Sequence, residues 1–553
     1  MIMKRHLEYP DCSVYDHIRK RAKEYGSLSA LDYYGRNISY RELLRNINQC
    51  ACALVAAGVK KGDSISICLP NIPQAVYLFY AVSKVGAIAN MIHPMSAEKE
   101  IADYIRLTDS RYIFAIDLIA DKLEKISKKV VMKRIITVSA ADEMPFAYKA
   151  GYKLKSIKDR VKKSMFTDWK DFISMAMPSD KYINTHGKAD DCAAILYSGG
   201  TTGKPKGIML TNLNFNALAL QSIEACGCLE RGDRVLSVMP VFHGFGLGVC
   251  IHTVLTFGGT AVILPKFSIA EFHKLILKNR PNVIAGVPAI YEAMLRNDGF
   301  EEKKLDFIKC VISGGDSLAV NTKIKLNAML EAHGCSCTVR EGYGLTECVT
   351  GSCLTPDKCD NNETCGYPYP DTFYKIIDPS SGEEVPRGET GEIILCGPTV
   401  MKGYYKEPQE TEQTLKPDKD GNVWLHTGDL GYMDDDGYVY FRQRLKRMIV
   451  SNGYNIYPQN IENIISSHKA VAMCAVVGIP DELRGQIVKA FVLLADGAQQ
   501  EKVRTQLEAL LKRNIVAYAL PKEIKFVDSF PKTLVGKIAY NELIAEELKN
   551  ARK

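Results

Sequence analysis

The chain has 553 residues, 46% hydrophobic and 24% charged, a balance that excludes a disordered or fibrous protein and gives enough length for at least two domains. Its 71 Lys and Arg against 64 Asp and Glu leave a net charge of +7, compatible with anionic small molecules and carrying no polybasic signal for nucleic acid. A membrane span, a secretory signal and a zinc site are not expected: no run of about 18 uncharged apolar residues occurs, the early basic residues lead into no apolar stretch, and the 17 cysteines form no Cys-x-x-Cys pair.

From about residue 39, helical and strand-like segments alternate. "SYRELLRNINQCACALVAAGV" repeats its apolar residues at helical spacing, and "KGDSISICLP" follows as a turn and a short strand. "NIPQAVYLFYAVSKVGAIANMI" repeats the scheme, as do "RYIFAI" and "RIITVS" and, later, "RVLSVMP", "TAVILP", "NVIAGVP" and "KCVISGG". Short apolar strands separated by helices predict an α/β fold with largely parallel sheets covered by helices on both faces. Between these runs, residues 149–169 carry seven basic residues interleaved with Tyr152, Leu154, Ile157, Val161 and Met165. That pattern reads either as a solvated surface helix or as a basic amphipathic helix able to lie on an anionic membrane.

Next, "CAAILY" predicts a buried strand and Thr211 an N-cap for the helix that follows. The loop between them, "YSGGTTGKPKG" (197–207), holds three hydroxyls, Ser198, Thr201 and Thr202, together with Lys204 and Lys206 and four glycines. Glycines let backbone N–H groups close on an anion, hydroxyls add donors and lysines add charge, so the loop predicts phosphate binding. P-loop grammar fails here: Ser198 occupies the first glycine position, and Pro205 stands where a magnesium-binding hydroxyl is required.

The loop resembles the phosphate-gripping signature of the adenylate-forming superfamily of acyl-CoA synthetases, nonribosomal adenylation domains and luciferases, departing from it only in Gly199 for a second serine. By that resemblance Ser198, Gly199, Gly200, Thr201, Thr202, Gly203 and Lys206 would hold the departing pyrophosphate. The likeness extends over essentially the whole chain. "MPVFHGFGLG" would place His243 beside the carboxylate and the thiol tunnel and Phe245 in the acyl pocket, with Val287 of "IAGVPAIY" and Gly344 as further acyl contacts. Lys266 would meet CoA phosphate.

In "SGGDSL", Gly315 and Asp316 would lie along adenine. In "EGYGLTE" (Glu341, Gly342, Tyr343, Gly344, Thr346, Glu347), Tyr343 would stack on the base, Thr346 bond a phosphate and Glu347 hold Mg²⁺. An aromatic face for a base and a hard carboxylate for a hard cation follow the same logic independently of the likeness.

Beyond about residue 366, closely spaced Gly and Pro predict a small antiparallel, barrel-like β part. Asp429 of "WLHTGDL" and Arg444 of "RQRLKR" would bond the ribose, Lys446 would be the hinge, Gly453 of "SNGYN" would approach the thiol arm, and Lys537 of "PKTLVGKIAY" would be the catalytic lysine. The expected organisation is residues 1–443 as an ATP- and acyl-binding domain, 444–446 as a hinge and 447–553 as a small, mobile α+β domain.

The resemblance implies a ligase that uses ATP, Mg²⁺ and coenzyme A to convert a carboxylic acid, by preference a medium- or long-chain fatty acid, into its acyl-CoA. It implies a cytoplasmic enzyme, and on the amphipathic reading of its basic segment peripheral membrane contact runs through 149–165. Val450 stands where luciferases and plant hydroxycinnamate ligases carry a second lysine, which argues against those activities. An adenylation enzyme loading a carrier protein, and a nucleotide-binding scaffold with a decayed site, are the alternatives.

Overall fold

The computed structural model describes the chain except residues 1–4, 147, 150–165, 177–186, 199–205, 266–270, 297, 302, 452–453, 482–483, 496, 533–537 and 552–553. The basic segment read as an amphipathic helix therefore falls outside the described residues, save Lys149 and the end at 166–169.

Among the described residues four sheets organise the fold. The first has nine strands in the order Tyr367–Pro368, Cys353–Leu354, Val339–Tyr343, Cys310–Gly314, Val283–Gly286, Arg234–Ser237, Thr260–Ile263, Ser29–Tyr33 and Arg36–Ser39. Its interior pairs are parallel, and antiparallel pairs close both edges. The second has eight strands, with Ile88–Met91, Ser64–Cys68, Tyr112–Ile116 and Arg134–Val138 parallel at its centre. These are the Val- and Ile-rich runs expected of strands buried on both faces, and Ser64–Cys68 and Tyr112–Ile116 are buried at every position.

Helix Pro73–Lys84 is likewise buried along its whole length, as a helix must be when packed against neighbours all round. Side chains close the helix starts the sequence marked. Ser39 Oγ accepts from Glu42 N–H and Thr211 Oγ1 from Asn214 N–H, each satisfying an otherwise orphaned donor.

The Gly- and Pro-rich stretch forms a third, five-stranded antiparallel sheet in which Val423–Met433 pairs with Gly391–Cys396, Leu415–Pro417 and Val439–Arg444. The fourth sheet is built entirely from residues 449–526, around the long antiparallel pair Val471–Asp481 and Gly485–Leu494. It has apolar clusters of its own, one around Ile449, Ile465, Val492 and Leu507 and a second around Phe491 and Phe530.

One element was not legible in the periodicity. Phe245–Thr253 is a nine-residue π-helix, a rare conformation that recurs at functional sites. Its His252 is fully buried between the Tyr80 hydroxyl at 3.0 Å and Asn216 Oδ1 at 2.9 Å, and burial holds its imidazole well below the ordinary range, in the neutral form.

Candidate functional site

In an open parallel sheet the carboxyl ends of the strands are where ligands are received. Three adjacent strands of the nine-stranded sheet end there on a glycine or directly before one: Val283–Gly286, Cys310–Gly314 followed by Gly315, and Val339–Tyr343 followed by Gly344. Gly315 has φ +80, a left-handed conformation that strains any residue with a Cβ. A Cβ at Gly344 would lie 2.0 Å from the Thr350 carbonyl oxygen, so that turn folds tightly back on itself.

Past Gly344 the chain makes a 3₁₀ turn at Thr346–Cys348 and a γ-turn centred on Val349, at φ 65 and ψ −53, with Thr350 N–H donating to Cys348 O at 2.8 Å. A β-branched residue at positive φ is a strained choice, held only where its surroundings over-determine it. What holds it is the segment carrying His243: the Val349 carbonyl lies against Gly244, and its side chain lies near Gly248. The glycines of "FHGFGLG" therefore admit the backbone of "GLTECV", coupling two motifs about a hundred residues apart.

Tyr343, Asp429 and Arg444 form one network. The buried Tyr343 hydroxyl donates to Asp429 Oδ2 at 2.8 Å, and Arg444 Nε reaches Asp429 Oδ1 at 3.2 Å. Asp429 and Arg444 face each other across the ladder of Val423–Met433 and Val439–Arg444, so register explains their spacing in the chain. The Tyr343 ring packs on Phe441 with centroids 5.9 Å apart. Asp316 is exposed and caps its own turn through Ser317 N–H, yet its charge acts on Arg444 and Arg447.

Beside this network lies Glu347. Burial raises its carboxyl above the ordinary range, opposed in part by the Tyr404 hydroxyl, which donates to Glu347 Oε1 at 2.9 Å, and by the charge of Arg444. Removing Tyr404's hydrogen bond takes away a lowering influence, so Tyr404→Phe raises the Glu347 pKa. On the metal-holding role that the resemblance implies for Glu347, which needs its ionised form, the acid limb of the activity profile moves to higher pH in the variant. An unmoved limb, or one moved to lower pH, would contradict the role.

Lys206 is also drawn here: it pairs with Glu410, and its ammonium lies 5.1 Å from the centroid of the Tyr404 ring. Glu341, by contrast, is held from behind. Lys323, 1% exposed, donates to its Oε1 at 2.9 Å, and Glu341 N–H donates to Thr355 Oγ1. Lys323→Met leaves a buried carboxylate without its cation, and is expected to lower the unfolding free energy by about 3–5 kcal/mol, read from the denaturant midpoint; Lys323→Met with Glu341→Gln should recover part of the loss.

An apolar pocket, about 680 Å³ of empty space including its open mouth, runs back from Gly314, Gly315 and Gly342 between the sheet and the π-helix. Phe245 stands at that mouth, its ring 3.8 Å from where a Cβ on Gly314 would lie, and Val287 Cγ1 is 3.6 Å from the corresponding point on Gly315. His243 Nδ1 accepts from Phe245 N–H at 3.2 Å.

The predicted residues that meet at the strand ends are thus Gly315, Gly342, Tyr343, Gly344, Thr346, Glu347, Asp429 and Arg444, with Phe245 and Val287 at the pocket mouth. Gly199, Gly200, Thr201, Thr202, Gly203, Lys266, Gly453 and Lys537 lie outside the described residues, as do the side chains of Ser198 and Lys446. Lys446 falls within the 3₁₀ turn Leu445–Arg447. The next residue, Arg447, ties this turn to the fourth sheet by donating to Val476 O at 3.3 Å, and to helices beside that sheet by pairing with Glu462 at 2.6 Å and lying over the Tyr540 ring.

Sequence reasoning missed Tyr404, Lys323 and the Gly244–Val349 contact. Only Lys323 left a trace, as a basic residue on a helix whose neighbours Leu326 and Leu330 are buried.

Residues 18–405 match the AMP-binding enzyme family and residues 460–537 the AMP-binding enzyme C-terminal domain. The chain is similar to a long-chain-fatty-acid–CoA ligase of Bacillus subtilis, 33% identical over 98% of this chain and 96% of that protein. It is also similar to one of Escherichia coli O6:H1, 30% identical over 96% and 94%. Among solved structures, ATP-bound MatB from Rhodopseudomonas palustris superposes with a TM-score of 0.84 at 26% identity, over 98% of this chain and 100% of that one.

Proposed function

Because the chain belongs to the AMP-binding enzyme family, we propose that it is an ATP-dependent acid:CoA ligase, acting on a medium- or long-chain fatty acid. The observation that carries this reading is the apolar pocket opening at the same strand ends that gather Tyr343, Asp429, Arg444 and Glu347. The lining is mostly apolar, and an alkyl chain asks of its walls only what these side chains offer. The relatives named long-chain-fatty-acid–CoA ligases support the same substrate class.

A carboxylate becomes a good acyl donor only when its oxygen is turned into a leaving group. In the proposed first step a carboxylate oxygen attacks the α-phosphorus of ATP, forming acyl-AMP and releasing pyrophosphate. In the second, the thiol sulfur of CoA attacks the acyl carbon, loses its proton and expels AMP.

Asp429 accepts from the ribose hydroxyls and Arg444 donates to them, a use suited to a carboxylate and a guanidinium already positioned against each other. Tyr343 offers its ring face to adenine and steadies Asp429 through its hydroxyl. Thr346 bonds a phosphate oxygen, and the loop at Ser198–Gly203 with Lys206 holds the pyrophosphate that departs. Phe245, Val287 and Gly344 line the way for the acid, His243 gates the carboxylate and thiol paths, and Lys266 and Gly453 contact CoA.

Glu347 fits a magnesium ligand: it is a half-buried hard carboxylate whose hydrogen-bond partner, the Tyr404 hydroxyl, is neutral, and Mg²⁺ is commonly held by one or two carboxylates together with substrate phosphates. The bound ion would supply charge neutralisation on the phosphates. Residues 444–446 serve as the hinge on which residues 447–553 reorient between the two steps, and the enzyme works in the cytoplasm with peripheral membrane contact through 149–165.

Pyrophosphate exchange with saturated acids of graded length, aryl acids as controls, tests the first step; CoA against a carrier protein as acceptor tests the second. Absence of acid-dependent exchange, or transfer to the carrier alone, overturns the reading.

A further inference from the structure

We propose that Phe257, folded over Gly259, is the end wall of the acyl pocket and sets the longest chain the enzyme accepts; this rests on the acid:CoA ligase reading above. Three rows of side chains run the length of the pocket, and Thr350, Gly351, Cys353, Leu354 and Tyr369 complete its wall.

On the sheet, the lining residues step back by twos along one face, as strand geometry requires. Gly314 and Gly342 pair at the mouth, Ile312 with Ala285 one step in, and Val283 with Val235 at the far end. That is four residues of strand, about 13 Å at 3.3 Å per residue. On the helical side, Phe245, Val249, Thr253, Val254 and Phe257 line the same space.

Phe245 is at the mouth because its ring lies beside Gly314. Phe257 is at the other end: its Cε2 and Cζ lie 2.5 Å from where a Cβ on Gly259 would be, and that same point is 2.9 Å from the carbonyl of Asp233, two residues before Val235. The third row, Ser222, Cys226 and Leu229, follows helix Asn212–Cys226 into the loop beyond it.

The ring is placed there by backbone, not by chance packing. Helix Val254–Phe257 is stopped by Gly258 at φ 87, against which the Tyr25 ring packs. Gly259 then leaves the space that the Phe257 ring occupies. Phe257 is 8% exposed, so it is the last apolar layer between the pocket and the Gly258–Gly259 turn. A chain reaching this ring can grow only by displacing it.

The experiment measures kcat/KM for saturated acids of increasing length with wild type, Phe257→Ala and Phe257→Trp. Phe257→Ala should move the optimum to longer acids, raising the ratio of kcat/KM for an acid beyond the wild-type optimum to that at the optimum on the order of tenfold. Phe257→Trp should move it to shorter acids. Phe257→Met, which keeps most of the volume but bends, replaces alanine if that variant fails to fold, and should broaden the profile toward longer acids.

A general loss of packing would lower all rates together and leave the ratio unchanged. Active variants with the wild-type ranking of acids overturn the end-wall assignment alone. A wild-type enzyme inert toward every acid overturns the ligase reading and this assignment with it.

Discussion

Lys537→Ala is expected to lower acid-dependent pyrophosphate exchange by about 10²- to 10³-fold, while thioester formation from supplied acyl-AMP and CoA is largely kept. The magnitude is that of removing one preorganised group from charge that grows in the transition state. As the carboxylate adds to the α-phosphorus, negative charge builds on the phosphoryl oxygens, and a lysine ammonium is a compact, mobile point charge suited to meet it. In the second step the charge to be met lies on the carbonyl oxygen of the tetrahedral intermediate and on the departing AMP. A residue carried on residues 447–553 and withdrawn at the hinge would not be needed there. Exchange and thioester formation, assayed separately on the same preparation, decide it: equal loss of both steps contradicts the division of labour. The match to the AMP-binding C-terminal domain runs through residue 537.

Gly244→Ala should be nearly as damaging, for a steric reason. Gly244 has ordinary helical backbone angles, φ −54 and ψ −38, so alanine costs nothing in conformation. Its Cβ, however, would stand 1.5 Å from the carbonyl oxygen and 2.7 Å from the carbonyl carbon of Val349. Both are backbone atoms, so no rotamer change relieves the clash.

Val349 is fastened in its γ-turn by Val349 N–H to Thr346 O at 3.0 Å and Thr350 N–H to Cys348 O at 2.8 Å, so the displacement passes directly to Thr346 and Glu347. On the roles proposed for Thr346 and Glu347, a shift of about 1 Å costs on the order of 10²-fold in rate, and overpacking of this kind costs about 1–3 kcal/mol of stability. The exchange rate and the denaturant midpoint should both fall. A variant with wild-type exchange would show that the contact does not position the site.

Much of the architecture is legible because it is local. Apolar runs such as "RYIFAI" and "KCVISGG" become buried parallel strands, and Ser39 and Thr211 cap the helices they precede. The same holds for the change to an antiparallel sheet beyond residue 366.

The π-helix over Phe245–Thr253 was not legible. Gly246 and Gly248 within it and Gly244 before it signal only permissiveness in the sequence, whereas the fold brings Pro240, Leu218 and Val349 against them. Lys323 reads as a surface charge, and only folding brings Glu341 to it.

The sequence by itself determined the order of elements, the chemistry of the candidate groups and the family, because periodicity, caps and motif spacing are properties of short stretches of chain. Tertiary structure alone decided which groups meet. Asp429 faces Arg444 through strand register and reaches Tyr343 from another sheet; Tyr404 bonds Glu347 across 57 residues; and Phe257 ends a pocket whose opposite wall comes from strands beginning at Val283 and Arg234. Such contacts depend on how whole layers pack, and close-packed interiors fix that geometry only once every layer is in place.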